Sequence, residues 1–112
     1  MHIHSCGKKY FAAIKDKHED LVKGINGCSI KPYIDNMPTV INASDIIITR
    51  CGAMTIAEVS ATGVAGIYIP SPNVTNNHQY KNAKLICDGG AGIMIEENRL
   101  NERTLLDAVR IL

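Results

Sequence analysis

The feature that most constrains this chain is a rhythm. Short apolar runs that do not alternate with polar residues, such as IIIT and GIYI, are separated by stretches with helical spacing. Uninterrupted apolar runs suit strands covered on both sheet faces, and strand–helix alternation is the form of successive βα units. The strands read from this pattern are 2–5 (HIHS), 29–34 (SIKPYI), 45–49 (DIIIT), 66–70 (GIYIP) and 91–95 (AGIMI). Helices are expected near 8–22, 38–43, 54–62, 77–88 and 102–111. The fold class is therefore α/β, a Rossmann-like parallel sheet with flanking helices. Several element ends carry their own signals: Pro38 suits a first helical position, Gly63 and Gly89 suit C-terminal caps, and Asn101 suits an N-cap.

Composition narrows the function classes. At 112 residues, with 46% apolar and 21% charged, the chain is ordinary for a globular protein with a real core. The net charge of +1, with Lys and Arg scattered, argues against nucleic acid as a partner, because phosphate-backbone binding needs a concentrated basic face. Cys6, Cys28, Cys51 and Cys87 form no C-x-x-C pair, so reduced thiols are expected rather than a zinc knuckle or a disulfide framework. No apolar run approaches the roughly 20 residues that span a bilayer. His2 and His4 alternate on a strand, but no third ligand is placed by spacing, and no metal is expected. There is no G-x-G-x-x-G, no Walker loop and no G-x-S-x-G.

Two motifs remain. In TRCGAMTIAEVSATG, residues 49 to 63, Thr55 and Glu58 have the spacing of a capping box, which would account for both residues without a ligand. The same geometry has a second reading: a helix N-terminus favours a phosphate, Gly52 and Ala53 leave room for it, and a carboxylate one turn in could accept hydrogen bonds from a ribose diol. Glu58 is expected to point away from the core, opposite Ile56 and Val59. In NNHQYKNAK, residues 76 to 84, the amides of Asn76, Asn77, Gln79 and Asn82 gather with His78 after a Pro-rich loop. That is either a solvated helix start with an Asn cap or a group able to read sugar hydroxyls. In an open parallel sheet, ligands bind beyond the carboxyl ends of the strands, which would put this loop and the Gly52 turn on one edge. Cys51 lies beside Arg50, but no base is positioned by sequence, and it reads as a small packing residue.

Taken in order, HSCGKK, PYIDNMP, ASDIIITRCGAMTIAE, GIYIPSP and NNHQYKNA resemble the C-terminal half of the MurG-type transferases, and together they cover nearly the whole chain. That family adds N-acetylglucosamine to undecaprenyl-pyrophosphoryl-muramoyl-pentapeptide in bacterial peptidoglycan synthesis. The resemblance implies a GT-B glycosyltransferase whose C-terminal domain binds UDP-N-acetylglucosamine. It implies that Glu58 binds the ribose hydroxyls, and that Met54 and Thr55, with the helix start at Gly52 and Ala53, face the ribose and diphosphate. Ile34 would meet uracil through its backbone with Met37 packing nearby, and Gln79, with His78 beside it, would hold hydroxyls of the donor sugar. The reaction implied is an inverting displacement without a metal or other cofactor.

The resemblance also implies parts that this sequence does not contain. These are the domain's first strand with its Gly-rich loop, and an N-terminal acceptor domain carrying the catalytic base and the membrane-facing surface. Residues 1–112 are thus expected to be a partial donor-binding domain without catalytic residues of its own, inactive alone. The alternative is a non-catalytic subunit of a split glycosyltransferase, completed by a partner that supplies the acceptor domain. A plain α/β interaction domain would bind no uridine nucleotide. The parent enzyme is expected in the cytoplasm, peripheral on the inner face of the plasma membrane. In a 3-2-1-4-5-6 strand order the absent strand is central, so strands 2–5 and 45–49 are expected to close the gap by direct pairing or by strand exchange in a homodimer.

Overall fold

The computed structural model describes residues 1–24 and 26–112. The chain divides into two compact units, Met1–Met37 and Pro38–Leu112. In the first, β1 (His2–Ser5) pairs in parallel with β2 (Cys28–Lys31), His2 opposite Cys28 and Ser5 opposite Lys31, and α1 (Phe11–Gly24) packs on β2. β2 stops three residues short of the expected 34. Pro32 has no N–H to donate and disfavours a continued ladder.

The second unit is a three-stranded parallel sheet in the order β3-β4-β5: β3 (Ile46–Thr49), β4 (Ala65–Tyr68) and β5 (Gly92–Met94). Its helices are α3 (Ala53–Thr62), α4 (His78–Asp88) and α5 (Glu102–Ile111), and a short α2 (Met37–Asn42) begins at the division between the units. Alternate residues of the strands supply two cores. Tyr68 packs with Cys51, Val59 of α3 and Ala83 of α4, joined by Ile47, Ile56 and Met94. On the opposite face Ile67, Ile69 and Ile95 meet Ala108 and Leu105 of α5. Both faces of the sheet are covered, as the uninterrupted apolar runs require. The Tyr68 ring lies across β4 and β5, where Gly66 and Gly92 leave it room; a Cβ at either position would run into the ring.

The two ladders form separate sheets, and among the described residues no strand pair joins 2–5 to 45–49. The expected closure by direct pairing does not occur. The outermost strands of each ladder carry no further partner strand among the described residues.

Helix ends follow the signals in part. Asn101 caps α5 with a full box: its Oδ1 accepts from the Thr104 N–H at 2.9 Å, and Thr104 Oγ1 accepts from the Asn101 N–H at 3.0 Å. Gly63 ends α3 in the left-handed region at φ 70°. Gly89 is the C-cap of α4 as expected, with helical backbone, and the left-handed residue follows it at Gly90, φ 81°.

Candidate functional site

The capping box expected at Thr55 and Glu58 is absent. The N-cap of α3 is Gly52, in extended backbone at φ −64° and ψ 149°, and its carbonyl accepts from the Ile56 N–H at 3.0 Å. The helix therefore begins two residues before Thr55, which sits inside the first turn and caps nothing. No side chain caps this helix start. Gly52 has a backbone conformation open to any residue, and a Cβ there would meet nothing within 4 Å. A side chain at Gly52 would therefore find open space. Met54 is 79% exposed, Thr55 half-buried, and Glu58 exposed one turn further on, with Val59 buried on the opposite face.

The second motif arrives at the same edge. Between β4 and α4 the chain turns through Asn76 and Asn77, both with positive φ (54° and 56°), a region in which Asn is favoured among non-glycine residues. The side-chain cap expected from Asn does not form; the Asn77 contribution is backbone conformation, and α4 starts at His78 rather than 77. His78 is exposed, whereas Gln79 is half-buried and turned inward. Its Oε1 accepts from the Ser71 N–H at 2.9 Å and from the Cys51 N–H at 3.3 Å. One turn on, Asn82 Nδ2 donates to the Cys51 carbonyl at 3.0 Å. Two side chains of α4 thus hold the N–H and the carbonyl of Cys51, in the middle of the β3–α3 turn, and tie it to the loop after β4.

Arg50 adds a third tie that local spacing could not reveal, because its partners are far along the chain. Nη1 donates to the Ile69 carbonyl at 3.3 Å and Nη2 to Glu97 Oε1 at 2.6 Å. Both charged groups are partly exposed, so the pair contributes at most about 1 kcal/mol. Beside it lies an open cleft of about 580 Å3, lined by Pro70, Ser71, Asn77, Tyr80, Glu96 and Glu97. Cys51 is fully buried. Desolvation pushes its thiol up to about 11, outweighing the opposing pull of Arg50, so it is no nucleophile.

The second unit thus brings together, at the carboxyl ends of its strands, the Gly52–Glu58 segment, the loop after β4, and Gln79 with His78. Ile34 and Met37 belong to the first unit, where both are half-buried, Ile34 just beyond β2 and Met37 at the start of α2. Among the described residues no group of three His, Cys, Asp or Glu side chains could hold a metal, and no helix is long and apolar enough to cross a membrane.

Residues 2–112 match the glycosyltransferase family 28 C-terminal domain. The chain belongs to this family. Its parallel α/β architecture with flanking helices is that of the C-terminal domain of a GT-B glycosyltransferase. Among relatives, the UDP-N-acetylglucosamine–N-acetylmuramyl-(pentapeptide) pyrophosphoryl-undecaprenol N-acetylglucosamine transferase of Leuconostoc citreum is 43% identical over 105 residues, covering 94% of this chain and 28% of that protein. The transferase of the same name from Bacillus cytotoxicus is 54% identical over 77 residues, 69% of this chain and 21% of its own length. The crystal structure of Acinetobacter baumannii MurG superposes with a TM-score of 0.84 at 29% identity, over 97% of this chain and 32% of that one. This family 28 domain therefore spans about a third or less of each of these relatives.

Proposed function

We propose that this chain is the donor-binding part of an inverting glycosyltransferase that takes UDP-N-acetylglucosamine and delivers its sugar to a lipid-linked muramoyl-pentapeptide. The observation that carries the reading is the match of residues 2–112 to the family 28 C-terminal domain, with relatives whose names specify that donor and acceptor. The site geometry supports it. The start of α3 carries no side-chain cap, and its N-cap Gly52 adds no side chain of its own, so its amides are available to a diphosphate. Glu58, exposed one turn in, is the acceptor for ribose hydroxyls; Met54 and Thr55 flank the ribose and diphosphate; Gln79 and His78 lie toward the donor sugar. Ile34 and Met37 serve the uracil. In transfer the acceptor hydroxyl oxygen attacks the anomeric carbon, the bond to the diphosphate breaks, and the helix amides take up charge on the leaving group. The proton goes to a base outside these residues, so the chain alone does not catalyse. The parent enzyme works at the cytoplasmic face of the membrane that holds its lipid-linked acceptor.

The test is a chemical-shift titration with UDP-N-acetylglucosamine, with ADP-glucose as control. Selective shifts over Gly52–Glu58 and Gln79 are expected. Because Glu58 caps nothing and is exposed, Glu58→Ala should change stability by no more than about 0.5 kcal/mol, while losing roughly 10- to 150-fold in affinity with its charged hydrogen bonds. Gly52→Ala should likewise leave the fold intact and weaken binding by crowding the helix start. A chain that responds equally to both nucleotides, or to neither, overturns the reading.

The edge strands carry a further part of this proposal. β3 is at the edge of its sheet with Ile48 45% exposed, and an apolar parallel edge of this kind is a template for another chain. Strand exchange between two copies gives a homodimer. Light scattering across a concentration series should then show twice the 12.2 kDa chain mass; a concentration-independent monomer removes the dimer and leaves donor binding untouched.

A further inference from the structure

The grip of α4 on the β3–α3 turn has a consequence for ligand binding. Both partners of Gln79 Oε1 are backbone N–H groups, which fixes the orientation of its carboxamide: the oxygen faces Cys51 and Ser71. Asn82 Nδ2 then holds the carbonyl of the same Cys51 residue. Cys51 immediately precedes Gly52, the N-cap whose carbonyl starts the hydrogen bonding of α3. The direction in which the first amides of α3 point is thus set by two half-buried amides from another helix. We infer that Asn82, acting with Gln79 Oε1, is a positioning residue for the nucleotide diphosphate: it touches no ligand itself and aims the start of α3 by holding the Cys51 peptide groups. This rests on the donor-binding reading above. It adds a residue whose contribution comes through the backbone rather than through contact.

A residue that merely held α4 against α3 would need no polar head, since Ala83, Val59 and Ile86 already supply apolar packing between these elements. The amide of Asn82 is spent on one carbonyl, at the point where the chain changes from strand to helix.

The experiment uses the 112-residue chain and UDP, which lacks the sugar and so separates the aim of the helix from any sugar contact. Amide exchange and UDP titrations are run on the unaltered chain, Asn82→Ala and Gln79→Ala. Asn101→Ala, a cap deletion on α5 outside the site, controls for general destabilisation. The expected result is slow exchange of the Cys51 and Ser71 amides in the unaltered chain. In Asn82→Ala, read well below its melting temperature, the Cys51–Thr55 resonances should shift and UDP affinity should fall about 3- to 10-fold. Asn101→Ala should leave affinity unchanged. If Asn82→Ala does not fold, Gln79→Ala reads the other half of the grip in the same way, with faster Cys51 and Ser71 exchange. Unchanged UDP affinity in a folded variant, or equal loss in Asn101→Ala, overturns the inference. An unaltered chain that ignores UDP overturns the donor-binding reading instead, and the two failures are told apart because Cys51 and Ser71 exchange is read without ligand.

Discussion

Beside Arg50, in a solvated turn, Cys51 would be favoured as a thiolate. Burial decides otherwise. With no exposed surface, the thiol is held protonated, and its ordinary value of 9.0 rises to about 11. Desolvation, with the thiol of Cys87 as a second cause, outweighs the guanidinium. The consequence for stability has a definite sign. Between pH 9 and 11 the unfolded chain releases this proton while the folded chain keeps it, so the contribution is fully present below pH 9 and is lost as pH rises toward 11. The loss from this residue reaches about 2 kcal/mol near pH 11. Tyr68 and Cys87, in the same core and also shifted upward by burial, act in the same direction. Urea midpoints should therefore fall steeply across this range, and Cys51→Ala should flatten part of the fall while leaving the rest to Tyr68 and Cys87. A midpoint independent of pH up to 11 would contradict the burial of the thiol in solution.

At the scale of elements, the strands and helices were legible because their periods differ. Uninterrupted runs such as IIIT could be satisfied only in a sheet covered on both sides, and Ile47 and Ile46 do pack into opposite cores. Ends were less legible, for reasons that reduce to single residues. Thr55 and Glu58 have capping spacing, but the backbone turns into helix at Gly52, where chain direction is set by α4 through Cys51, a contact 28 to 31 residues distant. Local pattern cannot report such a contact. Asn77 was legible as a boundary yet serves through its left-handed backbone instead of its side chain. Arg50 and Glu97, 47 residues apart, had no spacing to betray them. Asn101 is the opposite case, since its partner Thr104 is local and the box forms as the residue type suggests. Removing it in Asn101→Ala should cost about 1 kcal/mol, a fall of roughly 4–8 °C in Tm for a domain of this size. Differential scanning calorimetry reads this directly, and an unchanged Tm would show that the α5 start does not limit unfolding.

Over the whole molecule, burial is unequally divided. Every fully buried apolar residue among those described lies at Ile41 or beyond, nearly all of them in the two cores around β3-β4-β5. In the Met1–Met37 unit, β1 has only Ile3 half-buried, and β2 has no fully buried residue. Folding free energy comes chiefly from apolar area removed from water, so the two units should not share one stability. Their ladders are also separate, so the opening of β1-β2 breaks no hydrogen bond of the β3-β4-β5 sheet. Native-state hydrogen exchange should therefore resolve two levels. Amides of Ile69 and Ile95, bonded to the Thr49 and Tyr68 carbonyls at 2.9 Å, should exchange only by global unfolding, with a steep dependence on denaturant. Amides within β1 and β2 should open at least tenfold more often, about 1.4 kcal/mol lower in free energy, and with a shallower slope. A donor titration would then move the levels according to which unit the nucleotide engages. Nucleotide engaging only Gly52–Glu58 and Gln79 would raise the upper level alone, whereas nucleotide that also requires Ile34 and Met37 would raise both by the same amount. The measured pattern would show whether Ile34 and Met37 engage the nucleotide. A single exchange level, with β1 and Ile69 sharing one free energy and one slope, would instead mean that the chain unfolds as one body despite its divided core.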